Sequence, residues 1–204
     1  MKVFLDEQAV ECGGGTLAIA LDAGAAAARS RGRLIIEAQA DGKAIPQEHL
    51  DEPPGEDPYA EEIRLVSVDP RAFLRTTLLD AVDALEQTRG DQKRAAELIQ
   101  TGEAREALST LSEILNTWQA VRRVLEDASA LIGVAPEAAL QHGAPDDQTT
   151  IESLFKSLDE LRRSLAEQDW TATADALEFD LDEQAARWQT SLRSLAEAVA
   201  EGGE

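Results

Sequence analysis

The hydrophobic pattern of the chain changes near residue 70. Before that point, short apolar stretches alternate with polar ones at the two-residue spacing of β-strands, and one segment has helical spacing. After it, apolar residues recur every three or four positions, as in amphipathic helices. The pattern predicts an α+β domain over residues 1–69, an all-α domain over residues 70–201 and a polar tail over residues 202–204.

Two short strands and a helix are predicted at the N-terminus. Residues 2–5 and 9–10 are apolar stretches with a polar turn between them. Thr16 can then cap a helix over residues 17–30, because its hydroxyl can accept a hydrogen bond from a free backbone N–H of the first turn. Gly32 lies just after the end of this segment, where glycine favours helix termination.

A hairpin, a loop and a last strand complete the first domain. The stretch "RLIIEAQADGKAIP" predicts two strands that turn at Asp41-Gly42, a strong hairpin signal. The acidic, proline-rich residues 48–62 predict a loop. The last strand, "EIRLVSV", alternates, with Ile63, Leu65 and Ser67 on one face.

The glycine run in "CGGGTLA" admits two interpretations. With Glu37 at the end of the next apolar stretch, it matches the Gly-x-Gly-x-x-Ala fingerprint of dinucleotide-binding proteins. However, the first strand carries charge near its middle, and the strand–helix repeats of a doubly wound sheet do not follow. A turn between a hairpin and a helix is therefore favoured.

The order of elements in residues 2–69 is strand, strand, helix, hairpin, loop and strand. In this order and spacing the segment resembles a ubiquitin-like β-grasp domain. The resemblance implies a protein-interaction module, and some members of that class are conjugated through a C-terminal Gly-Gly. The chain does end in "AEGGE", but Gly202 and Gly203 follow a helical region and precede Glu204, so a polar tail is favoured over a modifier.

Four long helices are predicted after Asp69-Pro70, a typical helix start with an aspartate cap and proline in the first turn. The first is one long helix or is broken at Gly90, and the second ends at Gly133. The third begins near Ile151, and Asp169 can cap the fourth. The segments that start at residues 98 and 165 are similar, which suggests two helical hairpins. The helices therefore predict an antiparallel four-helix bundle.

Three tryptophans differ in their predicted environment. Trp118 and Trp188 lie on apolar stripes, so we expect both in the core, each with one partner for its indole N–H. Trp170 stands at a predicted helix start and is our candidate for an exposed, partner-binding residue. The pairs Arg122-Arg123 and Arg162-Arg163 predict ion pairs within their helices.

The composition limits the partners. The 40 acidic residues against 19 basic ones give a net charge of −21, which repels nucleic acid and anionic membranes. Solubility explains this charge, and adaptation to high salt is the alternative. The N-terminus lacks the pattern of a signal peptide and no apolar run reaches the length of a membrane span, so we expect a cytoplasmic protein.

Catalytic motifs are lacking in the sequence. Cys12 is the one cysteine, and His49 and His142 are the two histidines. No nucleophile elbow, P-loop or Glu-x-x-His pair occurs, so we predict no catalytic residue, no metal site and no cofactor. The dense acidic residues Glu178, Asp180, Asp182 and Glu183 are interpreted as a solvated helix face. An enzyme would be indicated if Glu37, Cys12 and His49 converged in a deep pocket.

We therefore expect a non-catalytic interaction protein, an adaptor that binds another protein through its acidic bundle or exposed sheet. One alternative is an export or assembly chaperone, similar in size and charge to small acidic helical proteins of bacterial secretion and flagellar systems. Another is a small-ligand-binding protein or enzyme with a pocket between the two domains. A homodimer formed through a helix face stays open.

Overall fold

A computed structural model of the protein describes residues 1–141 and 151–201. The chain divides into two compact units, Met1–Phe73 and a second that begins at Leu74. The first unit contains a five-stranded sheet, and the described residues of the second form helices, which confirms the α+β class. His142 and the tail with Gly202, Gly203 and Glu204 lie outside the described residues.

The sheet is mixed. Its strands are β1 (Lys2–Leu5), β2 (Gln8–Val10), β3 (Leu34–Ala40), β4 (Lys43–Ala44) and β5 (Glu62–Val68). Their order across the sheet is β2-β1-β5-β3-β4, with β1 and β5 parallel and the other neighbours antiparallel. This topology differs from a doubly wound parallel sheet, so the glycine run after β2 is a turn, as expected.

Both predicted hairpin turns are confirmed by their backbone angles. Asp6 and Glu7 have φ values of +48° and +66°, and Asp41 and Gly42 have +49° and +77°. Positive φ at both central residues is the type I′ geometry, whose twist matches that of the flanking strands. Ile63, Leu65 and Ser67 share one face of β5, as predicted, and this face is buried.

One helix, α1 (Leu17–Ser30), packs on the sheet. Thr16 caps it as predicted, and its Oγ1 accepts a hydrogen bond from the Ile19 N–H at 3.5 Å. At the other end Gly32 has φ of +63°. The helix comes so close to β5 that a Cβ on Gly24 would lie 1.9 Å from Leu65 Cδ1.

The predicted loop over residues 48–62 contains a short helix, α2 (Gln47–Asp51). The loop prediction was therefore wrong at this end. Leu50 and Tyr59 pack against the core of the first unit, and the Tyr59 hydroxyl lies 2.8 Å from His49 Nδ1. The packing of Leu50 and Tyr59 stabilises this short helix, which the acidic, proline-rich sequence around it did not indicate.

The second unit is formed by α3 (Pro70–Gln100), α4 (Ala104–Ile132), α5 (Pro136–Gln141), α6 (Ile151–Glu167), α7 (Trp170–Asp175) and α8 (Leu181–Glu201). Helix α3 passes through Gly90 without a break, and Asp69 caps it by accepting hydrogen bonds from two backbone N–H groups. Between α7 and α8 lies a π-helix, Ala176–Asp180, which the apolar pattern did not predict.

The helical core centres on two tryptophans, as predicted. Trp118 and Trp188 are buried and meet edge to face, with ring centroids 5.7 Å apart. The prediction that each indole N–H has a partner was wrong, because neither Nε1 atom has one among the described residues. The side-chain amide of Gln92 on α3 is also fully buried, and neither its Oε1 nor its Nε2 has a partner there.

Candidate functional site

A polar concavity lies between the second half of α6 and the segment formed by α7 and the π-helix. Its volume is about 310 Å³. Five carboxylates line it: Glu160, Glu167, Asp169, Asp175 and Asp180. The remaining lining residues are Arg163, Ser164, Ala172 and Ala176. We call this concavity the acidic pocket.

A tight connection places α7 beside α6. Gln168 adopts φ of +57°, and Asp169 caps α7 by accepting a hydrogen bond from the Ala172 N–H at 3.0 Å. Thr173 Oγ1 lies 3.0 Å from Ser164 Oγ and 2.7 Å from the carbonyl oxygen of Asp169. Because Ser164 and Thr173 are both buried, these contacts fix the two helices that form the walls of the acidic pocket.

The acidic pocket is electrostatically unbalanced. Partial burial raises the pKa of Asp180 above its usual value, and the nearby carboxylates of Glu160, Glu183 and Asp175 raise it further. Lys156 partly offsets this effect. A raised pKa means that the charged form of the carboxyl is disfavoured in the pocket, and a nearby positive charge would stabilise it. The pocket therefore favours a cation over an anion.

The interpretation of residues 178–183 as a solvated acidic face was wrong for Asp182. Its carboxylate pairs with the guanidinium of Arg89 on α3, with Nε–Oδ1 and Nη2–Oδ2 distances of 2.9 Å and 3.0 Å. The partner lies 93 positions away in the chain, so no local pattern could indicate it. Asp182 therefore joins two helices, whereas Asp180 lines the acidic pocket.

Trp170, the partner-binding candidate, is the first residue of α7 and is 40% exposed. Other aromatic side chains are more exposed: Phe155 on α6 at 49% and Phe179 in the π-helix at 60%. The sequence analysis missed Phe179. The sequence did contain a signal for the exposure of Phe179. Phe179 lies two positions from Leu177 and Leu181 and is therefore off the apolar stripe that both of them follow.

One arginine of each predicted pair makes an ion pair within its helix, as expected. Arg122 lies 3.3 Å from Glu126, and Arg162 lies 2.8 Å from Asp159. The Arg122 guanidinium also stands over the ring of Phe155, 5.6 Å from its centroid. Phe155 makes this contact from the exposed face of α6.

The side chains that would have indicated an enzyme have separate partners. Cys12 Sγ lies 3.3 Å from the carbonyl oxygen of Gly14, and the carboxylate of Glu37 accepts a hydrogen bond from Gln39. His49 contacts Tyr59. No hydrogen bond joins any two of these three side chains in the described parts of the chain.

Residues 1–141 and 151–201 contain neither a candidate metal site nor a candidate membrane span. In these residues no group of three or more His, Cys, Asp or Glu side chains could hold a metal ion. No helix there is both long enough and apolar enough to cross a membrane.

The acidic pocket and the exposed side chain of Phe179 are two features of the helical unit to which no structural role is assigned above. The chain matches no protein-family model, and neither curated proteins nor solved structures give a match. What the helical unit does is therefore inferred from its own residues.

Proposed function

We propose that the chain is a non-catalytic protein-interaction protein, an adaptor that offers an acidic helical surface to another protein. The observation that carries this proposal is the acidic pocket, which Asp180 helps to line, together with the preceding residue Phe179, the most exposed large hydrophobic side chain of the described residues. Aromatic side chains are enriched at protein interfaces, where a few residues contribute most of the binding free energy, and complementary charge sets orientation and association rate. Trp170, next to Asp169 of the pocket, stays our candidate for a further contact.

The proposal extends to the fold of each unit. The strand order, the central parallel pair and the single packed helix support a ubiquitin-like β-grasp domain in the first unit. For the second unit we propose an antiparallel four-helix bundle of α3, α4, α6 and the combined α7–π–α8 segment. Its support is the core that these helices share.

The charge and the single cysteine limit where such an adaptor acts. A net charge of −21 disfavours nucleic acid and anionic membranes as partners. One cysteine forms no intramolecular disulfide, which is compatible with a reducing compartment. The proposed location is therefore the cytoplasm, and the proposed partner is a protein with a basic surface.

The test is to capture partners with the tagged full-length chain from a lysate of the source cells, and then to reconstitute the complex from purified components. We expect one stoichiometric protein whose Kd rises steeply between about 50 mM and 500 mM NaCl, because the screening length falls over that range. A chain that elutes as a monomer with a bound small molecule would overturn the proposal in favour of the small-ligand alternative. A captured protein that is bound unfolded would instead favour the chaperone alternative.

A further inference from the structure

The second half of α3 is packed differently from its first half. The buried positions of the first half are filled mostly by large apolar side chains, those of Leu74, Leu78, Val82 and Leu85. Residues 86–97 include no apolar side chain larger than alanine. The buried side chains among them are those of Thr88, Gln92, Ala95 and Ala96. Because the hydrophobic effect grows with the apolar area buried, residues 86–97 stabilise the packed helix less than the first half does. We call them the polar segment.

Two residues of the polar segment disfavour its closed, helical state. The side chain of Gln92 is fully buried, and neither its Oε1 nor its Nε2 has a hydrogen-bond partner among the described residues. Such an amide has given up its hydrogen bonds to water and would regain them if the segment opened. Gly90 is exposed, and glycine has the lowest helix propensity apart from proline. No atom lies within 4 Å of a Cβ placed on Gly90, so close packing is not the reason for this glycine.

Ion pairs connect the polar segment to the neighbouring helices. Arg89 makes its partly buried, bidentate pair with Asp182 in the first turn of α8. Arg94 Nη2 lies 3.0 Å from a carboxylate oxygen of Glu106 in the first turn of α4, and both of these side chains are more than half exposed. Exposed pairs contribute little free energy, so the pair of Arg89 with Asp182 is the stronger of the two connections. The segment is thus held more by polar contacts than by apolar packing.

We propose that the polar segment is a conformational device of the helical unit: it opens locally between the buried side chains of Leu85 and Ile99 while the rest of the unit stays folded. Proteins open locally where few apolar contacts are buried, at a lower free energy than global unfolding requires. The opening hydrates the amide of Gln92, separates Arg89 from Asp182 and so disconnects α3 from α8 at this level. This inference goes beyond the adaptor function and does not depend on it.

The test is thiol labelling of the full-length, folded chain with N-ethylmaleimide. In a Cys12→Ser background, Ala96→Cys places a thiol in the polar segment and Ala81→Cys places one in the first half of the same helix. Ala96 is 1% exposed and Ala81 is 5% exposed, so either thiol reacts only after an opening. We expect Ala96→Cys to react at least about tenfold faster, at a rate that changes little with low concentrations of urea. Equal rates that rise together with urea would overturn the proposal, because both thiols would then react through global unfolding.

Two further substitutions separate local opening from global unfolding. Gln92→Leu removes the unpaired amide, so it should slow the labelling of Ala96→Cys about tenfold. Leu125→Val removes a methylene from a fully buried position of α4 outside the polar segment, and that packing is retained when only the segment opens. It should therefore speed the labelling of Ala81→Cys and leave that of Ala96→Cys unchanged. If Leu125→Val speeds both reactions by the same factor, no separate opening exists and the proposal is wrong.

Hydrogen exchange of the unsubstituted chain controls for a thiol that disturbs its own surroundings. We expect the amides of residues 90–97 to have protection factors at least about tenfold lower than those of residues 76–85. Equal protection along the whole helix would overturn the proposal even if the two thiols reacted at different rates. Neither result bears on the adaptor function, which is tested by capture and reconstitution of a complex.

Discussion

A single carboxylate, that of Asp6, ties the first hairpin to the middle of the sheet. It accepts hydrogen bonds from the backbone N–H and the hydroxyl of Ser67 on β5, and it lies 3.3 Å from the Arg33 guanidinium. These contacts favour the charged form and hold the pKa of Asp6 below its usual value, with the Ser67 hydroxyl as the largest cause. Since the folded-state pKa is lowered, the stabilisation is present above the unfolded-state pKa and is lost as the pH falls through the folded-state pKa.

We therefore expect Asp6→Asn to destabilise the first unit by about 1–2 kcal/mol at pH 7, towards the low end of the range for hydrogen bonds to charged groups because the carboxylate is partly exposed. Asparagine tolerates the positive φ at this position, so the backbone is not strained. Hydrogen exchange of the β5 amides measures the effect, and the difference from wild type should shrink in acid and disappear once the pH is below the lowered folded-state pKa of Asp6. A difference that persists in acid would show that the carboxylate charge is not the cause. The three tryptophans are in the second unit, so their fluorescence is an internal control.

The buried amide of Gln92 is the residue whose removal should stabilise the protein. An unpaired buried amide costs about 1–3 kcal/mol, and methionine fills a similar volume without polar donors. Gln92→Met should therefore raise the free energy of unfolding of the helical unit, measured by tryptophan fluorescence in urea. Gln189→Met is the matched control and should lower it, because Gln189 Nε2 donates to the Val82 carbonyl at 3.1 Å and to Glu86 at 3.0 Å. A loss of stability in Gln92→Met would mean that the amide has a partner in solution.

At the scale of elements, Gly24 shows how packing overrides helix propensity. In isolation, glycine in a helix interior costs about 1 kcal/mol relative to alanine, so Gly24→Ala would be expected to stabilise α1. The close approach of Leu65 Cδ1 reverses this, because the added methyl must displace the buried Leu65 side chain or push α1 away from β5. We expect a net loss of about 1–3 kcal/mol, the range for overpacked cores, in hydrogen exchange of α1. Ala25→Gly, on the same helix but at a partly exposed position, should cost only the propensity term. A stabilised Gly24→Ala would contradict the close packing.

The contact between α3 and α8 depends on the geometry of Arg89 as well as on its charge. Its bidentate pair with Asp182 is partly buried, and Asp182 is the largest cause of the raised pKa of Arg89. Arg89→Lys keeps the charge but cannot make two parallel hydrogen bonds, so we expect a loss of about 1–2 kcal/mol in urea unfolding. Arg162→Lys, whose pair with Asp159 is exposed, should change stability by less than about 0.5 kcal/mol. Equal effects at the two sites would contradict a geometric role for Arg89.

Whether a feature could be predicted depends on how far apart in the sequence the interacting residues lie. The two hairpin turns, though not their type I′ geometry, the caps at Thr16 and Asp69 and the end of α4 at Gly133 were all predicted, because they depend on neighbouring residues. The Arg89–Asp182 pair and the close approach at Gly24 depend on residues far apart in sequence, and they were not. Helix α2 and the π-helix are short and depend on their tertiary surroundings, so periodicity over a longer window could not detect them. The acidic pocket was missed for the same reason, since its walls come from two separate helices.

For the whole molecule, net charge competes with the individual ion pairs. Screening weakens both the attraction within pairs such as Arg162–Asp159 and the repulsion among the 21 negative charges in excess. Exposed pairs contribute about 0–1 kcal/mol each, and the repulsion acts between all the unpaired carboxylates, so relief of repulsion should be the larger effect.

We expect the urea midpoint of both units to rise between about 10 mM and 300 mM NaCl, a range over which the screening length falls from about 30 Å to below 10 Å. Choline chloride should act equally, because the effect depends on ionic strength and not on a bound cation. A falling midpoint would show that the ion pairs dominate. A rise with NaCl alone would point to a specific sodium site. If Asp180→Asn removes part of the salt effect and Glu97→Gln removes none, the repulsion is concentrated at the acidic pocket, where burial first and then the carboxylates of Glu160, Glu183 and Asp175 raise the pKa of Asp180.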